Sequence, residues 1–134
     1  MSSHPWYILG AGSIGCLWAA TLHQATGKSP VMIVRNREHS INENTDKKAV
    51  LTLTRLDKTE SCHPVSVVTA DEITAPIHQL IVCTKASDAL TAMNSISPVL
   101  AKHCNVLLLQ NGMGSQEAVA EAFPAQNIWI WLNH

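Results

Sequence analysis

The sequence predicts an α/β domain built on a doubly wound, mostly parallel sheet with helices on both faces and an antiparallel excursion at one edge. Three observations carry this. Short apolar runs recur at 6–9, 31–34, 79–83, 106–109 and 128–132, each bounded by Gly, Pro, Asn or charged residues. Runs such as Val106-Leu107-Leu108-Leu109 do not alternate with polar residues, as strands buried on both faces require. Segments with helical spacing separate the runs, so the connections have the length that parallel strands need.

Taken in order, the first run leads directly into Gly10-Ala11-Gly12-Ser13-Ile14-Gly15, and then into a helix over 15–26. There Ile14, Leu17, Trp18, Leu22 and Ala25 recur at spacings of three and four, and Gly27 supplies the stop. The second strand, 31–34, is followed by Arg35-Asn36-Arg37 and a polar loop over 41–48. Val50 to Thr54 and Val65 to Val68 read as strand pieces around the turn Asp57-Lys58-Thr59-Glu60, forming the edge excursion. A helix is expected after Ser87, its N-cap, with Asp88 in the first turn and Leu90 and Met93 on one face. Ser97-Pro98 should cap and open a further short turn through Val99 and Leu100. The last helix is expected at 116–122, capped by Ser115 and ended by Pro124.

Composition narrows the function classes. The 134 residues carry 9 basic and 10 acidic side chains, a net charge of −1, with no basic cluster beyond Lys47-Lys48. Nucleic-acid and anionic-membrane partners are therefore disfavoured. An apolar share of 46% fits a single packed domain of residues 1–134. No Lys or Arg precedes the first apolar stretch, and three glycines interrupt it, so neither a signal peptide nor a membrane span is expected and the reading is cytoplasmic. Cys16, Cys62, Cys83 and Cys104 have no metal-ligand spacing and read as reduced, mostly buried thiols. The histidines read as lone residues, solvated or bonded to backbone, and no metal is expected. Trp6, Trp18, Trp129 and Trp131 read as core or interface, the last two sharing one face of the final strand as an exposed patch.

The glycine motif gains force from its place between a strand and an amphipathic helix, the context of a Rossmann-type dinucleotide site. Gly10 allows the tight turn, Gly12 lets a pyrophosphate approach the backbone, and Gly15 lets the helix pack close. Ala11, Ser13 and Ile14 complete the loop, whose backbone N–H groups face the anion at the helix N-terminus. At the end of the second strand an Asp or Glu would select NAD, but this chain has Arg35, suited to a 2′-phosphate, so NADP(H) is the expected cofactor. Thr84-Lys85 and Gln110-Asn111-Gly112-Met113-Gly114 follow two further strands, placing three segments at the carboxyl edge of the sheet.

In that order and spacing, Gly10 to Gly15, Arg35, Lys85-Ala86 and Asn111-Gly112-Met113-Gly114 resemble the N-terminal half of the ketopantoate reductases (2-dehydropantoate 2-reductases) over almost the whole chain. Gln110 stands where relatives often have His. The resemblance implies that the glycine loop, Arg35 and Gly112 hold NADPH, that Lys85 contacts the cofactor near the nicotinamide, and that Asn111 touches both cofactor and keto acid. Lys85 and Asn111 would support catalysis without donating the proton. It implies an oxidoreductase that makes pantoate for pantothenate and coenzyme A synthesis, with a branched 2-keto acid as partner. It further implies that the family's second, helical domain, which brings the lysine general acid, is absent here. Turnover by this chain alone is then expected to be absent or very weak. Pairing with another chain, as a homo-oligomer or as a non-catalytic NADP(H)-sensing module, is the other reading.

Overall fold

Alternation along the strands fixes how the sheet is covered. In β1 (Trp6–Leu9), Tyr7 and Leu9 face one apolar cluster while Ile8 faces another. The same division splits Ile33 from Met32 in β2 (Val31–Ile33), and Leu80 and Val82 from Ile81 in β5 (Ile77–Val82). A parallel sheet with apolar residues on both faces must be covered on both. The computed structural model describes residues 4–10, 12–35, 48–109 and 115–130. Within it, α1 (Ser13–Thr26) lies on one face, while α2 (Ala89–Ile96) and α3 (Ser115–Ala122) lie on the other.

The seven strands run in the order β3-β4-β2-β1-β5-β6-β7, where β3 is Lys48–Thr54, β4 Glu60–Val68, β6 Leu100–Leu108 and β7 Asn127–Ile130. Every pairing is parallel except β3 with β4. The expected edge excursion is therefore present as β3, but β4 is also a full member of the parallel sheet, in register with β2 from Val31↔Ser66 to Ile33↔Val68. Strand order reverses between β1 and β5, and ligands of open α/β sheets bind outside the carboxyl ends at such a point.

Several local expectations are corrected. In α1 the buried residues are Gly15, Ala19 and Ala20, while Ile14 is 53% and Leu17 50% exposed. The helix lies so close to β1 that small side chains fill the inner face, while the expected Trp18 and Leu22 pack half-buried beside them. Ser87 does not cap α2, because a 3-10 turn, Ala86–Asp88, closed by Asp88 N–H to the Lys85 carbonyl at 2.9 Å, comes first. The buried face of α2 is Ala89, Met93 and Ile96, with Leu90 exposed. Ser97 opens the turn Ser97–Val99 from within, and its hydroxyl donates back to the Asn94 carbonyl at 3.2 Å. Ser115 is the first residue of α3, inside the helix. β6 begins at Leu100, six residues before the apolar run. Its polar start passes through His103 at φ 64°, where the pairing with β5 shifts from Ile77↔Leu100 to Gln79↔Asn105. The stretches 36–47, 110–114 and 131–134, with the expected loop, Gln110, Met113, Gly114 and Trp131, lie outside the described residues. Trp129 is 62% exposed on β7, as the patch expectation requires of it.

Candidate functional site

At the carboxyl edge, four chain segments leave the sheet around a cleft of about 740 Å3. Its walls come from Leu9, Gly10 and Gly12 after β1, Ile33 to Arg35 at the end of β2, Thr69 to Asp71 after β4, and Cys83 to Lys85 after β5. The first two turns of α2 add Asp88, Thr91, Ala92 and Ser95. Three of the expected segments thus converge here: the glycine turn, Arg35 and Lys85.

The three glycines differ in what constrains them. Gly10 has φ 108°, and a Cβ there would sit 3.2 Å from the Cys83 carbonyl carbon and the Thr84 amide. The chain crosses β5 at that point with room for backbone only. A Cβ on Gly15 would collide with the Gly10 carbonyl oxygen and sit 3.6 Å from Ile8 Cγ2, so this residue sets how closely α1 approaches β1. Among the described residues nothing lies within 4 Å of a Cβ on Gly12, which is exposed and borders the cleft. That open space is where a ligand can meet the backbone. Gly12 is the N-cap of α1, its carbonyl accepts from the Cys16 N–H at 3.0 Å, and no side chain caps the helix. The leading N–H groups and the positive end of the helix dipole are left for an anion. Ser13 and Ile14 follow in the first turn, Ile14 exposed. Ala11, Asn111 and Gly112 lie outside the described residues.

Backbone hydrogen bonds hold the wall segments in place. Gly10 N–H donates to the Ile33 carbonyl at 3.2 Å, Val34 N–H to Val68 at 2.8 Å and Cys83 N–H to Leu9 at 2.9 Å. Arg35 therefore projects from a backbone fixed one residue earlier, and its side chain is exposed. Lys85 is exposed two residues beyond the Cys83 bond. Cys83, half-buried beneath the glycine turn, is pushed up to about 12 by burial first and then by Cys16, which disfavours its thiolate. Cys104 is buried, which takes it up to about 11, while Cys16 and Cys83 are half-buried and Cys62 is exposed, against the expectation of mostly buried thiols.

Sequence reading missed Thr69, Ala70 and Asp71 because β4 was taken as an edge piece, so its carboxyl end was not counted among the sites. Asp88, Thr91 and Ser95 carry a signal that could have been used: spacings of three and four put them on one helical face.

Four of the histidines are paired and not lone. His4 and His78 stack with centroids 3.7 Å apart. On the α1 face, His63 is buried, with its Nδ1 2.9 Å from His23 Nδ1 and its Nε2 2.6 Å from Ser61 Oγ. Arg55 Nη2 donates to Ser61 Oγ at 3.1 Å and to Gln24 Oε1 at 3.3 Å. Which His63 ring nitrogen carries the proton sets the donor in each of these two contacts. The contact between His23 and His63 clips α1 to β4. Burial, then His23, then Arg55 hold the His63 imidazole below its ordinary value. A depressed folded value means stability that is complete above the ordinary histidine range near ~6.5 and lost as pH falls from there toward the folded value. Thermal unfolding should therefore show a lower Tm at about pH 5.5 than at about pH 7.5, and His63→Gln should shrink that difference. An undiminished difference in the variant would assign the acid sensitivity elsewhere.

Among the described residues, no helix is long and apolar enough to cross a membrane, and no group of three or more His, Cys, Asp or Glu could hold a metal ion.

Comparison with known proteins returns one family, described as ketopantoate reductase PanE/ApbA, matching residues 6–132. A probable 2-dehydropantoate 2-reductase of Schizosaccharomyces pombe is 38% identical over 118 residues, covering 84% of this chain and 34% of the relative. Among solved structures, D-mandelate dehydrogenase in ternary complex with NADH and anilino(oxo)acetate superposes with a TM-score of 0.75 at 27% identity, covering 94% of this chain and 39% of the other. A dimeric ketopantoate reductase from Staphylococcus aureus shares the fold, with a TM-score of 0.69 at 18% identity over 97% of this chain and 40% of that one. The chain thus spans between 34% and 40% of the length of these relatives.

Proposed function

This chain belongs to the ketopantoate reductase PanE/ApbA family, and from that premise we propose that residues 1–134 are a dinucleotide-binding domain whose cleft holds NADP(H). The reaction served is reduction of 2-dehydropantoate, or a closely similar branched 2-keto acid, to the 2-hydroxy acid, in the cytoplasmic route to pantothenate. The observation that supports this best is the convergence of the glycine turn, Arg35 and Lys85 on one cleft at the strand-order reversal.

The residues present suit the coenzyme. Gly12 presents backbone without a side chain beside the uncapped α1 N-terminus, which fits a pyrophosphate. Arg35 offers a planar fork of donors to a 2′-phosphate, and no carboxylate follows β2 directly to take a ribose hydroxyl instead. When bound, the coenzyme supplies a hydride to the C2 carbonyl of the keto acid. The chain's own residues bind and orient: Lys85, after β5, brings a positive charge to the cleft, and Asn111 and Gly112 extend the segment that follows β6. Neither Lys85 nor Asn111 is assigned the proton donor. The NADH held by D-mandelate dehydrogenase makes NADH the competing ligand.

Fluorescence titration of the chain with NADPH and NADH tests the reading. NADPH should bind at least about tenfold tighter, the worth of a charge-assisted hydrogen bond near ~1.5 kcal/mol. Binding of neither coenzyme, or preference for NADH, would overturn it.

A further inference from the structure

Arg35 is not the only charged side chain at the end of the cleft where β2 and β4 stop. These strands are adjacent and in register through Ile33↔Val68, and the Val34 N–H to Val68 carbonyl bond of 2.8 Å carries the pairing one residue further. The chain then leaves the sheet as Arg35 on one strand and Thr69 on the next. Asp71, two residues past Thr69, is exposed and borders the same cleft as Arg35. We propose that the Asp71 carboxylate opposes Arg35 and so limits how strongly the cleft favours a coenzyme bearing a 2′-phosphate over one with a free 2′-hydroxyl. This rests on the coenzyme reading given above.

The carboxylate is held in place. Thr69 N–H donates to Glu72 Oε1 at 2.9 Å, and the Thr69 side chain meets the Glu72 backbone in return, a reciprocal cap that fixes the turn Ala70–Glu72. Thr69 Oγ1 also lies 2.6 Å from Asp71 Oδ1 and 3.0 Å from Glu72 Oε1. One hydroxyl hydrogen is thus shared between two carboxylates, which leaves most of the Asp71 charge uncompensated by that contact. A fixed anion beside the Arg35 end of the cleft raises the cost of bringing in a 2′-phosphate, which carries up to two negative charges. It leaves a neutral 2′-hydroxyl almost untouched. Across a solvent-exposed cleft such repulsion corresponds to a severalfold change in affinity at low salt, and it should fade at high salt as the Debye length falls to ~3 Å.

Asp71→Asn keeps the oxygen that accepts from Thr69 and removes the charge, so Tm should match the parent. Titrated at low ionic strength, the variant should bind NADPH about threefold to fivefold tighter and NADH unchanged, with the NADPH gain disappearing near ~1 M salt. A parent chain that binds NADPH beside a variant with an unchanged NADPH-to-NADH ratio overturns the role of Asp71 alone. Equal weakening toward both coenzymes also overturns it, because Asp71 would then be a direct contact to a group that both share. A parent chain that binds neither coenzyme removes the coenzyme reading and this proposal together.

Discussion

Gly12→Val should fold as the parent does and lose the coenzyme, whereas Gly15→Ala should lose stability. The two glycines are three residues apart in one turn, and the space around them sets the contrast. A Cβ on Gly12 meets nothing within 4 Å among the described residues, and its backbone, φ −73° and ψ −174°, is one that valine adopts without strain. Its stability change should stay within about 0.5 kcal/mol of the parent, as for other exposed positions. The added methyls fill the space through which a pyrophosphate reaches the helix N-terminus. Loss of two charge-assisted hydrogen bonds at ~1.5 kcal/mol each weakens binding by about 100-fold or more. In Gly15→Ala the new methyl collides with the Gly10 carbonyl, a backbone atom in a turn already held at φ 108° and bonded to Ile33. Overpacking of that kind costs up to about 3 kcal/mol, and the better helix propensity of alanine returns at most about 1 kcal/mol. The net loss of about 2 kcal/mol should lower Tm by roughly 6 °C in a chain of this size. Circular dichroism melts beside NADPH titrations separate the two effects. A Gly12→Val variant that binds normally would show that the cleft's ligand does not approach the backbone there.

The same turn shows what the sequence makes legible. A strand, three glycines at fixed spacing and a helix are local features, and Gly10 and Gly15 sit in the tight turn and the close helix packing assigned to them. Apolar runs located β1, β2, β5, β7 and the carboxyl end of β6 because a parallel sheet covered on both faces leaves no polar alternation inside it. The ends were harder. Residues 101–105 of β6 are mixed in polarity because the strand's start is only partly covered, so no apolar run announces it. In α1, hydropathy pointed to Ile14 and Leu17, but close approach to β1 selects small residues, and Gly15 and Ala19 take the inner face. The contribution of Thr69 and Asp71 to the cleft depends on β4 lying beside β2, and the His23–His63 pair joins residues 40 apart. Both follow from strand order, which no local pattern encodes.

Arg35→Ala should separate the two coenzymes more sharply than any other single change outside the glycine turn. The backbone at this position is set by the Val34 to Val68 hydrogen bond, so truncating an exposed side chain one residue later leaves the sheet as it was. Stability should move by less than about 0.5 kcal/mol. For the 2′-phosphate, the guanidinium is a paired donor of charge-assisted hydrogen bonds, worth about 1.5–3 kcal/mol, so NADPH should bind about 10- to 100-fold more weakly. NADH, which has only a hydroxyl to offer at that position, should be affected by no more than about twofold. Arg35→Lys should recover part of the loss, because an ammonium keeps the charge but not the fork geometry. Ionic strength supplies an internal check, since the parent's preference for NADPH should decline as salt rises while the variant's affinities hardly change. Equal losses for NADPH and NADH in Arg35→Ala would instead place the guanidinium on a group common to both, such as the adenine ring or the pyrophosphate. The assignment of the 2′-phosphate to the end of β2 would then fail.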